Sequence, residues 1–396
     1  MKHRVKIMSL RTEVYWESMN KYGEELCGDK VEYFSDKKNS ILVLADGLGS
    51  GVKANILSTL TTKIAVTMLK NGSSIEETVQ TIASTLPVCK VRKIAYSTFT
   101  IIQVDSKGKG YVVEYGNPSV FFVRDNKVSK LNGTCRMVAG REIIETRLDL
   151  IPQDMLIVVS DGVVHAGVGG ILNLGWQWKN IAEYIEKVSK VETSPKHIAS
   201  LLTDVTKNFY MGKPGDDATV AALKIIRSRE VTVFTGPPQD PKNDPEIVAE
   251  LMNSPGQKVV CGGTAAHIVS RILNQPLDTT TTFIDPQVPP TAKIKGIDLV
   301  TEGVLTLDKA REIIKRYVWR HVSIKQLKEL QKEDGASRLA KILLDATDIT
   351  FLLGKAINPA HQNPDFPREL SIKNNIVKDL IEILNKMGKT VKVKYF

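Results

Sequence analysis

Four aspartates stand where predicted strands begin or end. Asp46 and Asp161 each end or follow an apolar run typical of a buried strand, whereas Asp216 and Asp217 directly precede another such run. Carboxylates that converge on one point repel each other, and such clusters persist when a hard divalent cation neutralises them. The pattern therefore predicts an Mg²⁺ or Mn²⁺ site held by the first two aspartates and by one or other member of the last pair.

Gly47, directly after Asp46, fits the same chemistry. Without a Cβ, its backbone carbonyl can approach an ion, and the glycines at 49 and 51 permit a sharp turn into a helix. Two metal ions roughly 3.5–4 Å apart that share a carboxylate activate a water and clamp a phosphoryl oxygen. A single Asp-Gly pair is usually only a turn, so the inference of a phosphoester hydrolase depends on the three motifs occurring together.

The secondary structure that must position these residues is predicted to change from a strand and helices to a run of strands along the first half of the chain. An apolar strand over 41–46 leads into a helix over 53–70, whose apolar residues recur every fourth position at Ile56, Leu60, Ile64 and Met68. A second helix is predicted over 75–86. Residues rich in β-branched and aromatic side chains then predict a meander of antiparallel strands over 95–104, 111–115 and 120–124, and further helices at about 179–188 and 195–209 precede a strand over 218–226.

A domain boundary is predicted at the polar stretch 226–230, giving domains over 1–228 and 229–396. Beyond it, strands and helices alternate, which favours a smaller α/β domain with a mostly parallel sheet covered by helices. The predicted strands are 231–235, 258–261, 297–300, 348–353 and 390–395, and the predicted helices are 245–252, 265–273, 307–318, 337–345 and 369–387.

One turn in this second half could bind an anion. Gly262, Gly263 and Thr264 follow a predicted strand and open a helix, where free backbone amides face a ligand. The alternative is a plain tight turn with Thr264 as the helix cap. The polar segments 301–303 and 358–361 also follow strands, at the end where α/β sheets place ligands. The sequence contains neither a GxGxxG nor a P-loop fingerprint.

The amino-acid composition argues against two classes of protein: those that bind nucleic acid and those that cross a membrane. The 396 residues carry a net charge of +10, 42% hydrophobic and 25% charged residues, as in ordinary globular proteins. Dispersed lysines and 6% aromatic residues argue against nucleic-acid binding. Four separated cysteines, no leader-like N-terminus and no 18-residue apolar run predict a cytoplasmic protein that does not cross a membrane.

The order and spacing of the motifs resemble the metal-dependent serine/threonine phosphatases of the type 2C superfamily, and within it the bacterial sporulation (SpoIIE-type) branch. The resemblance covers about residues 15–226. It implies an α+β domain in which two antiparallel sheets form a sandwich flanked by helices, with a binuclear Mn²⁺/Mg²⁺ site at one end. The residues that carry it are Lys21, Gly23, Gly28-Asp29, Asp46-Gly47-Leu48-Gly49-Ser50-Gly51, Ala54, Ser160-Asp161-Gly162-Val163 and Asp216-Asp217-Ala218-Thr219-Val220.

The resemblance also implies roles for individual residues. Asp46 would bridge the two ions and Gly47 would bind through its carbonyl, while Asp161 and Asp216 would complete one ion's ligands. Asp217, where other branches have Asn, would bind an ion or support a ligand, and Asp29 would be a further metal ligand at a more variable acidic position. Lys21 could replace the phosphate-binding arginine of many eukaryotic members, or be simply an exposed lysine. His165 fits a turn histidine better than a general acid.

The expected activity is hydrolysis of phosphoserine or phosphothreonine on a regulatory partner protein in bacterial signalling, by a metal-activated water. The C-terminal domain would sense a small-molecule ligand or bind a partner. Two alternatives stand beside this: a phosphoprotein-binding scaffold without catalysis, and a C-terminal domain with a small-molecule activity of its own. In the resembling branch, the helix after the first metal motif acts as a switch. Here its apolar stripe either takes that role or merely packs on the sheet.

Overall fold

The chain folds into two compact units, Met1–Arg227 and Ser228–Phe396. The structure is a computed structural model that describes residues 9–85, 97–191, 193–279, 288–319, 330–356 and 368–396. Each unit has its own sheets and its own hydrophobic core.

One sheet of the first unit has five strands in the order β1-β11-β10-β6-β7. Its neighbours all pair antiparallel, and the last strand of the unit lies between the first strand and β10. The strands are β1 (Leu10–Met19), β6 (Phe121–Arg124), β7 (Lys127–Lys130), β10 (Met155–Val159) and β11 (Ala218–Arg227).

The other sheet of this unit has six antiparallel strands in the order β2-β3-β4-β5-β9-β8. Consecutive strands mostly pair as hairpins, as the predicted meander requires. The strands are β2 (Asp29–Ser35), β3 (Asn39–Gly47), β4 (Ser97–Asp105), β5 (Lys109–Tyr115), β8 (Thr134–Val138) and β9 (Arg141–Asp149).

Helices flank both sheets. The helices α1 (Gly51–Lys70) and α2 (Ile75–Thr85) pack on the six-stranded sheet, whereas α4 (Trp178–Ser189) and α5 (Pro195–Phe209) pack on the five-stranded one, and the short α3 (Asp161–Val164) follows β10. A core of buried residues from both sheets, including Leu44 and Leu223, lies between them. The predicted sandwich of two antiparallel sheets flanked by helices is confirmed.

The face of α1 that packs on the sheet is not the predicted apolar stripe. Ile56 and Leu60 are 52% and 43% exposed, so for these two residues the packing alternative is wrong. The buried face instead contains Leu57 and a series of small side chains: Ala54, Ser58, Thr61, Thr62 and Ala65. Small side chains let the helix backbone lie close to the sheet, which leaves the larger apolar residues on the outer side.

The second unit has a seven-stranded sheet in the order β14-β15-β16-β13-β12-β17-β18. Five of its strands are parallel, and the short β14 (Asp278–Thr279) and β15 (Ala292–Lys293) form an antiparallel edge. The predicted mostly parallel sheet is thus confirmed. The parallel strands are β12 (Glu230–Thr235), β13 (Gln257–Cys261), β16 (Leu299–Thr301), β17 (Asp348–Leu353) and β18 (Thr390–Tyr395).

Helices cover both faces of this sheet. The core on one face includes α6 (Asp244–Asn253) and α7 (Gly263–Leu273). The core on the other includes α8 (Val304–Trp319), α9 (Gly335–Asp345) and α10 (Arg368–Lys386). The polar segment 358–361 singled out in the sequence lies outside the described residues. None of the helices in the described ranges is long and apolar enough to cross a membrane.

Candidate metal centre

The pairing of strands brings the predicted aspartates to one end of the first unit. In the six-stranded sheet, Asp29 lies directly opposite Asp46. In the five-stranded sheet, Val159 of β10 lies opposite Val220 of β11, so Asp161, two residues after β10 ends, comes close to the residues that precede β11. Both sheets therefore deliver carboxylates to the same place.

The electrostatics of Asp46 show that the carboxylates do converge. Burial raises the pKa of Asp46 far above its ordinary value, and the negative charges of Asp29, Asp161 and Asp216 raise it further. Carboxylates from both sheets therefore influence one another at this end of the unit.

Asp29 is buried and links the two sheets, because it begins β2 in one and hydrogen-bonds Ser160, which follows β10, in the other. It is 3% exposed, and Ser160 Oγ donates a 2.7 Å hydrogen bond to its Oδ2. Ser160 in turn accepts from the backbone N–H of Thr219 at 2.9 Å. The other carboxylate oxygen, Oδ1, is buried without a partner in the described part of the chain, and burial raises the pKa of Asp29. Such an unpaired oxygen is costly unless a ligand satisfies it.

The neighbours Asp216 and Asp217 differ in their surroundings. Asp217 is 3% exposed; its Oδ1 accepts from the Lys21 backbone N–H at 3.0 Å, while its Oδ2 is buried with no partner among the described residues. Asp216 is half-buried, and burial and then the charge of Asp161 raise its pKa. Asp216 therefore interacts with the cluster directly, and Asp217 also anchors the segment before β2.

Lys21 and His165 take different places around the cluster. Lys21 is half-buried, and its positive charge lowers the pKa of Asp216 against the larger effects of burial and Asp161. It therefore lies at the border of the acidic site rather than out in solvent. His165 is exposed at the end of α3, which fits the turn histidine expected from the sequence.

Close packing of the backbone explains the glycines at both strand ends. A Cβ on Gly47 would overlap the carbonyl oxygen of Ala54 in α1, and a Cβ on Gly162 would overlap the carbonyl oxygen of Asp217. The sequence analysis attributed Gly47 to the approach of an ion. The structure supplies a second reason, because α1 reaches the end of β3 only if that position lacks a side chain.

Two residues near the cluster were missed in the sequence. Glu24 Oε1 accepts a 2.9 Å hydrogen bond from Ser50 Oγ, which places a further carboxylate beside the turn after Asp46. Tyr210 donates a 2.7 Å hydrogen bond to the Gly162 carbonyl, and burial, followed by the charges of Asp216 and Asp161, raises its pKa to about 12. Both lie on loops or at a helix end without periodicity. The only signal was that each lies a few residues from a recognised motif.

The residues present fit a hard divalent cation. Within the described ranges, no three carboxylate, thiolate or imidazole groups are already arranged as one metal site. The donor set is nevertheless all oxygen, which Mg²⁺ and Mn²⁺ prefer. Two of its buried oxygens, Asp29 Oδ1 and Asp217 Oδ2, have no partner in the described residues, and the charges of neighbouring carboxylates add to burial in raising the pKa of Asp29 and Asp46. A bound cation would remove both penalties.

Comparison with known proteins confirms the resemblance seen in the motifs. Residues 36–226 match the family model of stage II sporulation protein E (SpoIIE). The match includes Asp46, Asp161, Asp216 and Asp217, but neither Lys21 nor Asp29, and it does not reach the second unit. A curated relative, stage II sporulation protein E of Priestia megaterium, is 26% identical over 191 residues. That alignment covers 46% of this chain and 31% of the relative, so the chain spans about a third of the relative's length.

Two solved structures show the same kind of similarity. The PP2C phosphatase domain of SpoIIE from Bacillus subtilis, solved with a fragment of its regulatory domain, has a TM-score of 0.48 and 22% identity, covering 56% of this chain and 65% of that one. The catalytic domain of the serine/threonine phosphatase PstP, solved in complex with two manganese ions, has a TM-score of 0.40 and 13% identity, covering 55% of this chain and all of that one.

Proposed function

We propose that the first unit is a metal-dependent protein serine/threonine phosphatase that acts on a phosphorylated regulatory protein. One observation carries the proposal: Asp46 comes from one sheet and Asp161 and Asp216 from the other, and the charges of the latter two add to burial in raising the pKa of Asp46. Repulsion among them is a cost that a purely structural role does not explain. The match of residues 36–226 to the SpoIIE family supports phosphatase chemistry at that point.

The chain's own groups have separate tasks in this proposal. Asp46 would contact both of two Mn²⁺ or Mg²⁺ ions, Gly47 would bind through its carbonyl, and Asp161 and Asp216 would hold one ion. When bound, such ions lower the pKa of a water and stabilise the charge of a transferring phosphoryl group. Asp217 and Asp29 would hold their neighbours in place through their contacts with Lys21 and Ser160. Lys21, at the border of the acidic cluster, would attract a phosphate.

Regulation is proposed to act through α1. The helix begins four residues after Gly47, and its first turns are locked to the site by the Gly47–Ala54 approach. A shift of α1 would therefore displace the carbonyl and carboxylate at the end of β3 together. Its outer stripe, Ile56 and Leu60, is exposed and free to receive another element.

Hydrolysis by the purified full chain tests the function. With p-nitrophenyl phosphate and a phosphoserine peptide as substrates, we expect release of phosphate that rises with Mn²⁺ concentration and stops in EDTA. Activity that survives EDTA would refute the mechanism. Tight binding of the phosphoserine peptide without any turnover, at every Mn²⁺ concentration, would instead support the scaffold alternative.

A further inference from the structure

Four parallel strands of the second unit end at the same level. The register places Thr235 of β12 beside Cys261 of β13 and Leu353 of β17, and Cys261 beside Thr301 of β16. From β12 the chain continues to β13 and β16 on one side, then returns to β17 and β18 on the other. In open α/β sheets, ligands bind beyond the carboxyl ends of the strands where the strand order reverses in this way.

At this edge of the sheet, the backbone that follows β13 is exposed. Glycines follow three of the strands, at 236, 262 and 354. The helix α7 begins at Gly263 without a side-chain cap, and Gly263 and Thr264 are exposed. By contrast, the first turn of α8 has a carboxylate partner, because Glu302 accepts from the Thr306 backbone N–H at 3.4 Å. Among the described residues, the backbone amides at the start of α7 therefore have no side-chain acceptor.

A buried lysine lies at the same edge. Lys373 of α10 is 8% exposed, and its Nζ donates to the Gly354 carbonyl at 3.0 Å. A Cβ on Gly236 would overlap this amine, so the ammonium reaches the end of β12 as well as that of β17. The other two N–H groups of Nζ have no partner in the part of the chain that the structure describes. Burial lowers the pKa of Lys373, with no carboxylate opposing that effect.

Another lysine of this unit has more hydrogen-bond acceptors around its amine. Lys389 follows α10, directly before β18 begins, and therefore lies near the opposite end of the sheet. Its Nζ donates to the carbonyls of Leu344 and Ala346, both at 2.6 Å, which close the end of α9. Lys389 thus has at least two acceptors, and its role is to stabilise the end of this helix. Among the described residues Lys373 Nζ has a single carbonyl acceptor, and burying an ammonium so poorly paired is costly.

We propose that the carboxyl edge of this sheet binds the phosphate group of a small molecule, through the Lys373 ammonium and the backbone amides at the start of α7. A cation is excluded by the same donors, since neither the ammonium nor an N–H can ligate one. The site lies entirely within the second unit and does not depend on the phosphatase activity proposed for the first.

Binding to the full chain in EDTA tests the site without contribution from a metal centre. We would measure the affinity for inorganic phosphate, ADP and adenosine by calorimetry. We expect ADP to bind and adenosine to bind at least tenfold more weakly. Hydrogen exchange with and without ADP should show protection in peptides covering 235–238, 262–267 and 353–356. No binding of phosphate or ADP, or protection confined to the first unit, would overturn the proposal.

Two variants and one control assign the site to its residues. Lys373→Met should weaken ADP binding by at least tenfold, whereas Lys389→Met should leave the affinity unchanged. If Lys373→Met does not fold, Gly263→Asp replaces it: its Cβ meets open space, the residue has no left-handed φ, and an acid suits a helix start. The new carboxylate should repel the phosphate and weaken binding to a similar degree. Unchanged affinity in a folded variant of either kind would contradict the assignment.

Discussion

At the scale of single residues, the contacts of the aspartate cluster predict unequal effects. Asp46 interacts with three other acids, so Asp46→Asn should abolish Mn²⁺-dependent hydrolysis of p-nitrophenyl phosphate. Asp217→Asn keeps an oxygen for the Lys21 N–H and should lose only about 10–100-fold, as for groups that orient a metal ligand. Equal and complete loss in both variants would mean that the Asp216–Asp217 pair is assigned the wrong way round.

The same substitution predicts a result that needs no turnover. A ligand that binds the folded state raises the melting temperature, so Mn²⁺ should raise the Tm of the wild-type protein. In Asp46→Asn we expect that rise to be largely lost, because the carboxylate proposed to contact both ions no longer contributes charge. Scanning calorimetry with and without Mn²⁺ measures this directly. An undiminished rise in the variant would place the ion elsewhere.

Tyr210 offers a test of how the short helix α3 is held beside the cluster. Tyr210→Phe removes the hydrogen bond to the Gly162 carbonyl and should cost about 0.5–1.5 kcal/mol in the free energy of unfolding. Urea denaturation measures the change. Tyr184→Phe is the control, since the Tyr184 ring packs edge-on against Trp176 and its hydroxyl makes no hydrogen bond among the described residues. A loss of the same size in the control would show that the Gly162 contact contributes nothing.

At the scale of elements, neighbouring leucines of α1 should behave oppositely. Leu57 is 6% exposed within the core, so Leu57→Ala should lower the free energy of unfolding by about 2–5 kcal/mol. Leu60 is 43% exposed, and Leu60→Ala should change it by no more than about 0.5 kcal/mol. If α1 also regulates the site, Leu60→Ala will shift the Mn²⁺ concentration for half-maximal activity at unchanged Tm. A destabilisation as large as that of Leu57→Ala would instead make the stripe part of the core.

Strands with a clear sequence pattern were predictable. Strand 348–353 is a nearly continuous apolar run, and strand 390–395 alternates valine with lysine although none of its residues is buried; both have the bounds expected from the sequence. By contrast, β1 and β8 went unpredicted because their apolar residues neither form a continuous run nor alternate strictly with polar ones. The aspartates could be found because they follow or precede buried strands. Glu24 and Tyr210 could not, since only the folded chain brings their loops to the cluster.

At the scale of the whole molecule, the first unit is complete before the second begins. Within the described ranges no sheet contains strands from both units, and all proposed metal ligands lie upstream of Ser228. A fragment of residues 1–227 should therefore stay folded and hydrolyse p-nitrophenyl phosphate with Mn²⁺. Activity assays and circular dichroism check this. An insoluble or inactive fragment would show that the two units form one cooperative structure.

The place of β11 has a consequence for the order of events during synthesis. This strand is the last part of the first unit to leave the ribosome, yet it lies between β1 and β10, pairing with β1 over all ten of its residues. Until it emerges, β1 and β10 lack their shared neighbour, and Asp216 and Asp217 are absent from the cluster. The nascent chain therefore cannot assemble the centre step by step. It must keep β1 without its partner strand through about two hundred residues of translation, and β10, already paired with β6, with one open edge through about sixty. The chain acquires the complete set of acids only as the second unit begins to appear.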